Sequence, residues 1–388
     1  MSDGPGEIAV YIHWPYCARI CPYCDFNVVR DRGRRGEATA LAGAIHADLE
    51  RQAQVLGRRR LTSIFFGGGT PSLMDPATAA AIIEAARERF DPAPDLEVTL
   101  EANPTDAEAE RFAAFAAVGV NRLSLGVQSL DDAALAFLGR DHDAAAARRA
   151  AAIARPVFPR LSIDLIYALP DQTPAAWRSD LEAALELGPE HVSAYQLTIE
   201  AGTAFDRAVR RGRWRPPEGE ASRALFETTA EVLGAASFDA YEISNHARTE
   251  AARSRHNLTY WRGGDWLGLG PGAHGRLTGA DASRWATLAP AKVGDYVARV
   301  GEAGCGAPSR ERLSPRETAL ERLLMGLRTS EGVALADLAP LDIDPAALAQ
   351  LASSRLVETS PDRLVATAEG RIVLDRLTLE LAEAARAP

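Results

Sequence analysis

The chain has 388 residues, 47% of them apolar and 25% charged, an ordinary globular balance that excludes disordered and fibrous classes. At roughly 150 residues per domain it holds two or three domains, or one large barrel with an appendix. Its 43 basic residues against 53 acidic ones leave a net charge of −10, which argues against a general nucleic-acid or anionic-membrane binder.

The first residues, Met1-Ser-Asp-Gly-Pro-Gly, carry neither a basic nor an apolar leader region. No uncharged apolar run approaches the roughly 20 residues of a membrane span, so a soluble, cytoplasmic protein is expected. Short apolar, β-branched runs at 7–14, 61–66, 96–101, 121–127, 161–167 and 191–198 read as strands. Alanine-rich stretches of helical period at 36–57, 75–90, 105–118, 143–154 and 174–187 lie between them, long enough for right-handed crossovers. Six βα units predict an α/β fold, an open parallel (β/α)6 partial barrel over residues 1–200. The strands read as nearly continuous apolar runs covered on both faces, with the chemistry at their C-terminal ends. The barrel is expected to end near residue 200, followed by an α+β region over 201–300 with a Gly-rich stretch at 263–279. Residues 301–388, read as helix, short helix, helix, hairpin and final helix, fit a small C-terminal winged-helix-like domain. Its third helix, about 344–353, lacks Arg and Lys, so no nucleic-acid partner is expected.

Three of the four cysteines fall in the loop after the first strand, Tyr11-Ile-His-Trp-Pro-Tyr-Cys17-Ala-Arg-Ile-Cys21-Pro-Tyr-Cys24-Asp-Phe26. A Cys-x3-Cys-x2-Cys loop in a reducing compartment supplies three thiolates to a 4Fe-4S cube and leaves the fourth iron open to a small molecule. A zinc site with His13 as fourth ligand, or a structural thiol cluster, is the alternative. Gly67-Gly-Gly-Thr-Pro follows the second strand, where side-chain-free backbone lets N–H and C=O groups approach a polar ligand closely. The single lysine, Lys292, sits in no phosphate-loop or Schiff-base context.

The cysteine loop, with Tyr23 before its last cysteine, resembles the radical S-adenosylmethionine superfamily. The resemblance implies a cofactor whose amino and carboxylate groups bind the open iron and which is cleaved to a 5'-deoxyadenosyl radical. It narrows to the branch of anaerobic coproporphyrinogen III oxidase and the HemW-type haem chaperones. The motifs that carry it are Glu101-Ala-Asn-Pro, Arg122-Leu-Ser-Leu-Gly-Val-Gln-Ser, Leu138-Gly-Arg-Asp-His, Ile163-Asp-Leu-Ile-Tyr-Ala-Leu-Pro, Tyr241-Glu-Ile-Ser-Asn and Leu323-Leu-Met-Gly-Leu-Arg. By position the resemblance places Tyr11, Gly68, Glu101, Cys17, Cys21 and Cys24 around the iron-bound cofactor. Tyr23, Gly69, Thr70, Gln128, Arg140 and Asp164 match positions where the oxidase binds a second S-adenosylmethionine. Helix capping or a salt bridge is the plainer reading of Glu101 and Asp164.

Phe26 stands where the oxidase carries a fourth cysteine, whereas His256-Asn-Leu-Thr-Tyr-Trp261 matches the His-Asn-x-x-Tyr-Trp motif of HemW. A neutral imidazole ligates haem iron and nearby rings stack on a macrocycle, so His256 is the expected haem ligand, with His246 and His274 behind it and Cys305 a loop thiol. The expected function is a haem chaperone with a 4Fe-4S cluster and S-adenosylmethionine, carrying haem to acceptor haemoproteins such as respiratory enzymes. Any membrane contact would be peripheral, through those partners. The alternative is an oxygen-independent coproporphyrinogen III oxidase, which leaves enzymatic activity open.

Overall fold

A computed structural model describes residues 6–33, 35–307 and 309–385; residues 1–5, on which the leader reading partly rests, lie outside the described residues. Six strands pair in parallel and in chain order: β1 (Glu7–Trp14), β2 (Arg60–Gly68), β3 (Asp91–Ala102), β4 (Arg122–Gln128), β5 (Arg160–Tyr167) and β6 (His191–Gln196). The crossovers are α1 (Arg35–Leu56), α2 (Pro76–Arg89), α3 (Ala109–Ala117), α4 (Ala144–Ala154) and α5 (Pro174–Glu186). Local chemistry starts three of them: Asp75, Asp143 and Thr173 cap α2, α4 and α5 with side-chain acceptors, and prolines stand at the first positions of α2 and α5.

The strands are not apolar on both faces. In β4, Leu123, Leu125 and Val127 are fully buried against the helices, while Arg122, Ser124, Gly126 and Gln128 face a cavity on the other side. β3 and β5 repeat the alternation, turning Glu101 and Asp164 inward. A solid barrel core would demand apolar residues there, but an open sheet around a polar cavity demands them on one face only.

The sheet also continues past residue 200. After α6 (Gly219–Ala235), β7 (Asp239–Ala240) and β8 (Asn245–Ala247) extend it beyond β6 in antiparallel fashion. A short helix, α7 (Arg255–Trp261), then leads to β9 (Trp266–Leu269), which pairs in parallel with β1. β10 (His274–Thr278), β11 (Arg284–Leu288) and β12 (Ser309–Leu313) follow, giving twelve strands in the order β12-β11-β10-β9-β1-β2-β3-β4-β5-β6-β8-β7. The Gly-rich stretch hid these strands because glycine there serves close approach rather than a loop. A Cβ at Gly268 would collide with the carbonyl oxygen of His274.

A second core, from Ala319 to Ala385, organises the C-terminal segment. It contains a helix Pro315–Gly326 started by a Ser314/Glu317 capping box, helices Leu335–Leu338 and Pro345–Ser353, and a three-stranded sheet formed by Val333–Ala334, Val357–Thr359 and Arg363–Ala366. That succession is the winged-helix order. Among the described residues no helix is long and apolar enough to cross a membrane.

Candidate functional site

The inner face of the sheet and the C-terminal segment border a cavity of about 1310 Å³. Most of the site residues expected from the sequence line it: Tyr11, Cys17, Cys21, Tyr23, Cys24, Gly68, Gly69, Thr70, Glu101, Gln128, Arg140, Asp164 and His256.

The cysteine loop leaves β1 and is pinned to the strand ends. Tyr16–Cys17 pairs with Val29–Arg30, and the backbone N–H groups of Gly69 and Thr70 donate to the Trp14 and Tyr16 carbonyls at 2.7 and 2.8 Å. Gly69 has no room for a side chain, since a Cβ would sit 2.7 Å from the Pro15 and Tyr16 backbone. Gly68 has φ +108°, and a Cβ there would meet the His13 ring at 2.6 Å. Both glycines are therefore required by the fold itself, before any ligand binds. Arg140 donates through Nη1 to Cys21 Sγ at 3.2 Å and through Nη2 to Gly126 O at 3.2 Å and to Asn103 Oδ1. Burial pushes the Cys17 thiol up to about 11, against a hydrogen bond from Thr70, and pushes Cys24 up as well.

Among the described residues no three such side chains converge tightly enough to hold a single metal ion. A cube does not require that, because each thiolate binds a different iron and the sulfurs stand further apart than ligands of one ion. His13 does not complete a zinc set: its Nδ1 faces Tyr11 Oη at 3.1 Å and its Nε2 faces Asn27 O at 2.8 Å. Three soft sulfurs at a cavity wall beside a guanidinium suit an iron–sulfur cluster, whose binding would displace the thiol protons.

Beyond the loop lie two half-buried carboxyl groups facing the cavity. Glu101 accepts from the Gly68 N–H at 3.2 Å, and burial and the neighbouring Asp164 raise its pKa to about 8. Asp164, also raised by burial, accepts from Ser124 at 2.7 Å and Ser162 at 3.2 Å. Neither is the helix cap or salt bridge of the plainer reading. A pair of neighbouring acids on a cavity wall favours a cationic ligand, which suits the ammonium and sulfonium of S-adenosylmethionine. Gln128 enters the wall at a register shift between β4 and β5 and has φ +67°, a left-handed conformation costly for a residue other than glycine.

His256, the expected haem ligand, is held on both sides in the ligand-free chain. It is fully buried; Nδ1 meets Ser63 Oγ at 2.9 Å and Nε2 meets Tyr260 Oη at 2.6 Å, so both ring nitrogens are used. Its ring stacks on Phe65 at 4.9 Å, and burial lowers its pKa to about 3. The motif instead seats α7. Glu97 accepts from the Arg255 and His256 N–H groups at 3.1 Å each and pairs with Arg160 at 2.8 Å. Although burial alone would raise the Glu97 pKa, Arg122, Arg160 and those N–H groups hold it below the usual range. His246 is buried within β8 and His274 is exposed on β10 beside a separate groove; neither lines the cavity. Cys305 lies apart from the cavity, next to Asp48.

Ser124, Asn103 and Arg328 also line the site. Each falls inside a motif quoted above, and period-two alternation from Gln128 points to Ser124. Arg371 has no comparable signal.

Residues 11–184 match the Radical SAM superfamily and residues 313–373 match the HemN C-terminal domain. The chain is 43% identical over 338 residues to Radical S-adenosyl methionine domain-containing protein 1, mitochondrial, of Bos taurus, covering 86% of this chain and 76% of the relative. It is 36% identical over 385 residues to Heme chaperone HemW of Mycobacterium tuberculosis, covering 98% and 96%. Against Heme chaperone HemW of Escherichia coli it is 40% identical over 278 residues, 71% of each. Among solved structures, coproporphyrinogen III oxidase (HemN) from Escherichia coli, a radical SAM enzyme, superposes with a TM-score of 0.81 at 21% identity, covering 97% of this chain and 90% of that one. At that identity the likeness is one of fold.

Proposed function

Because the chain belongs to the radical SAM superfamily and to its HemW branch, we propose that it is a haem chaperone, binding haem and delivering it to acceptor haemoproteins such as respiratory enzymes. The observation that carries the reading is the shape of the cavity. It runs from the cysteine loop to the C-terminal segment, with exposed apolar side chains at both ends, Ile20 (45%) and Phe26 (62%) on the cysteine loop and Val373 (41%) in the C-terminal segment, and arginines among its lining. Its volume exceeds the 300–1,000 Å³ or so of ordinary small-molecule pockets, leaving room for a macrocycle beside a cofactor.

Cys17, Cys21 and Cys24 would hold the 4Fe-4S cluster, and Glu101 and Asp164 the cationic part of S-adenosylmethionine. When bound, these groups supply one-electron chemistry. The chain's own residues orient and neutralise: Arg140 donates to Cys21 Sγ, Gly68 N–H fixes Glu101, and the serines hold Asp164. His256 acts as a strut, and the iron of bound haem takes its ligand elsewhere. A cytoplasmic location suits the free thiols, with membrane contact through the acceptors.

The test is to incubate the anaerobically reconstituted protein separately with haem and with coproporphyrinogen III, adenosylmethionine and a reductant. Haem binding near one to one, without decarboxylated porphyrinogen, is expected. Turnover of coproporphyrinogen III would establish the oxidase reading instead.

A further inference from the structure

We infer that Arg371 is the anchor for a propionate carboxylate of the porphyrin, at the end of the cavity formed by the C-terminal segment. The inference rests on the haem-chaperone reading and adds to it the chemical group recognised and the residue that recognises it. Arg371 lines the cavity beside the apolar side chains of Ile243, Ile372 and Val373. Its Nη1 and Nη2 donate to the backbone carbonyls of Ala240 and Arg328, each at 3.2 Å, and its buried Nε has no acceptor. Among the described residues it forms no ion pair.

The nearest anion is already spent. Glu242, fully buried, takes Arg328 on one carboxylate oxygen at 2.7–2.8 Å, and the other oxygen accepts from Ser244 N–H at 2.9 Å and Asn245 Nδ2 at 2.7 Å. Arg328 thus takes the one carboxylate, and Arg371 is left without an anionic partner. The rim arginines Arg223 and Arg376 are satisfied within their own helices, by Glu227 and Glu380 at 2.8 Å each. A half-buried guanidinium with a buried, unpartnered Nε and no anion is costly unless something supplies one. A ligand that pairs an apolar face with a carboxylate fits this end of the cavity, and haem carries its acids as propionates at the edge of an apolar macrocycle. The burial that lowers the Arg371 pKa is relieved by the same carboxylate.

Equilibrium titration of the reconstituted full chain with haemin and with haemin dimethyl ester tests this, since esterification removes the charges and keeps the macrocycle. The wild type is expected to bind the acid about ten-fold or more tightly than the ester. Arg371→Gln should lose that preference with ester affinity unchanged, and Arg371→Lys should keep part of it. Equal wild-type affinity for acid and ester overturns the inference while leaving the chaperone reading intact, as does an Arg371→Gln chain that still prefers the acid. A chain that weakens equally toward both ligands assigns Arg371 a structural role and also overturns it. Binding of neither porphyrin to the wild type removes both readings together. Should Arg371→Gln fail to fold, the wild-type comparison of acid and ester decides.

Discussion

The cysteine loop and the His256 helix border the same cavity and both carry family motifs, yet their donor atoms are in opposite states. The loop that carries the three sulfurs is held at its ends by backbone pairing, and the hydrogen bond that Arg140 gives Cys21 occupies one sulfur lone pair and leaves another for a metal. Both His256 nitrogens are committed, to Ser63 and Tyr260. A motif therefore marks a place where residue types matter, while the hydrogen-bond inventory distinguishes a ligand from a strut. Removing a ligand abolishes what it binds and spares the fold; removing a strut costs stability and spares the spectrum of what is bound.

The sharpest contrast is at the cysteines. Replacing Cys17, Cys21 or Cys24 by Ala should reduce reconstituted iron from about four per chain to near zero and abolish the visible absorption. Stoichiometric zinc without that absorption in the wild type would erase the difference between the two regions. His256→Ala should lower unfolding stability by roughly 2–4 kcal/mol, through lost packing and an unsatisfied Ser63 and Tyr260. The absorption of bound haem should stay in place. A shifted spectrum with unchanged urea midpoint would return His256 to the ligand role.

The same contrast explains what was legible. The six βα units were readable because apolar period and alanine-rich spacing are local properties, and Asp75-Pro76 and Thr173-Pro174 announce their helices. The residues lining the cavity were readable because motifs cluster at strand ends. Three things were not. Two-sided burial of the strands was inferred where Ser124, Asp164 and Glu101 already alternate with apolar neighbours, because a central polar cavity was not anticipated. The pairing of β9 with β1 joins residues some 250 positions apart, which no local pattern encodes. The partners of His256 come from β2 and from its own helix, so its commitment appears only in three dimensions.

A smaller effect separates the two regions by pH in the ligand-free protein. His256 has its pKa lowered from 6.5 to about 3 on folding, so the unfolded chain binds the extra proton between those values. Stability should fall as pH drops from about 6.5 toward 3, with a limiting slope of about 1.4 kcal/mol per unit. Glu101 runs the other way: its pKa rises from 4.5 to about 8, the folded state holds the extra proton, and stability should fall as pH rises from 4.5 to 8. Glu101→Gln should flatten the alkaline limb of a urea-midpoint profile and leave the acid limb alone. An unchanged alkaline limb would show that Glu101 is ionised in the empty site.

The smallest expected effect on the fold lies at the mouth of the cavity. Phe26 follows the last cysteine by two positions and is 62% exposed, so the folded state gains little from it in the absence of a ligand. Exposed substitutions away from caps and ion pairs usually change stability by no more than about 0.5 kcal/mol, and Phe26→Ser should fall within that range. Cluster content should also hold, because the three thiolates and their backbone pairing are untouched. Haem has a broad apolar face, and burying a phenyl ring against it is worth roughly 1.5–3 kcal/mol at full coverage. Partial coverage at a cavity mouth then predicts a several-fold weaker haem affinity in the Ser variant, read by the same titration. Phe26→Cys restores the sulfur that stands at this place in the oxidase but not the apolar area, so it too should bind haem more weakly and gain no turnover of coproporphyrinogen III. Wild-type affinity in both variants would mean that the macrocycle sits deeper than residue 26, toward Arg371 and the C-terminal segment.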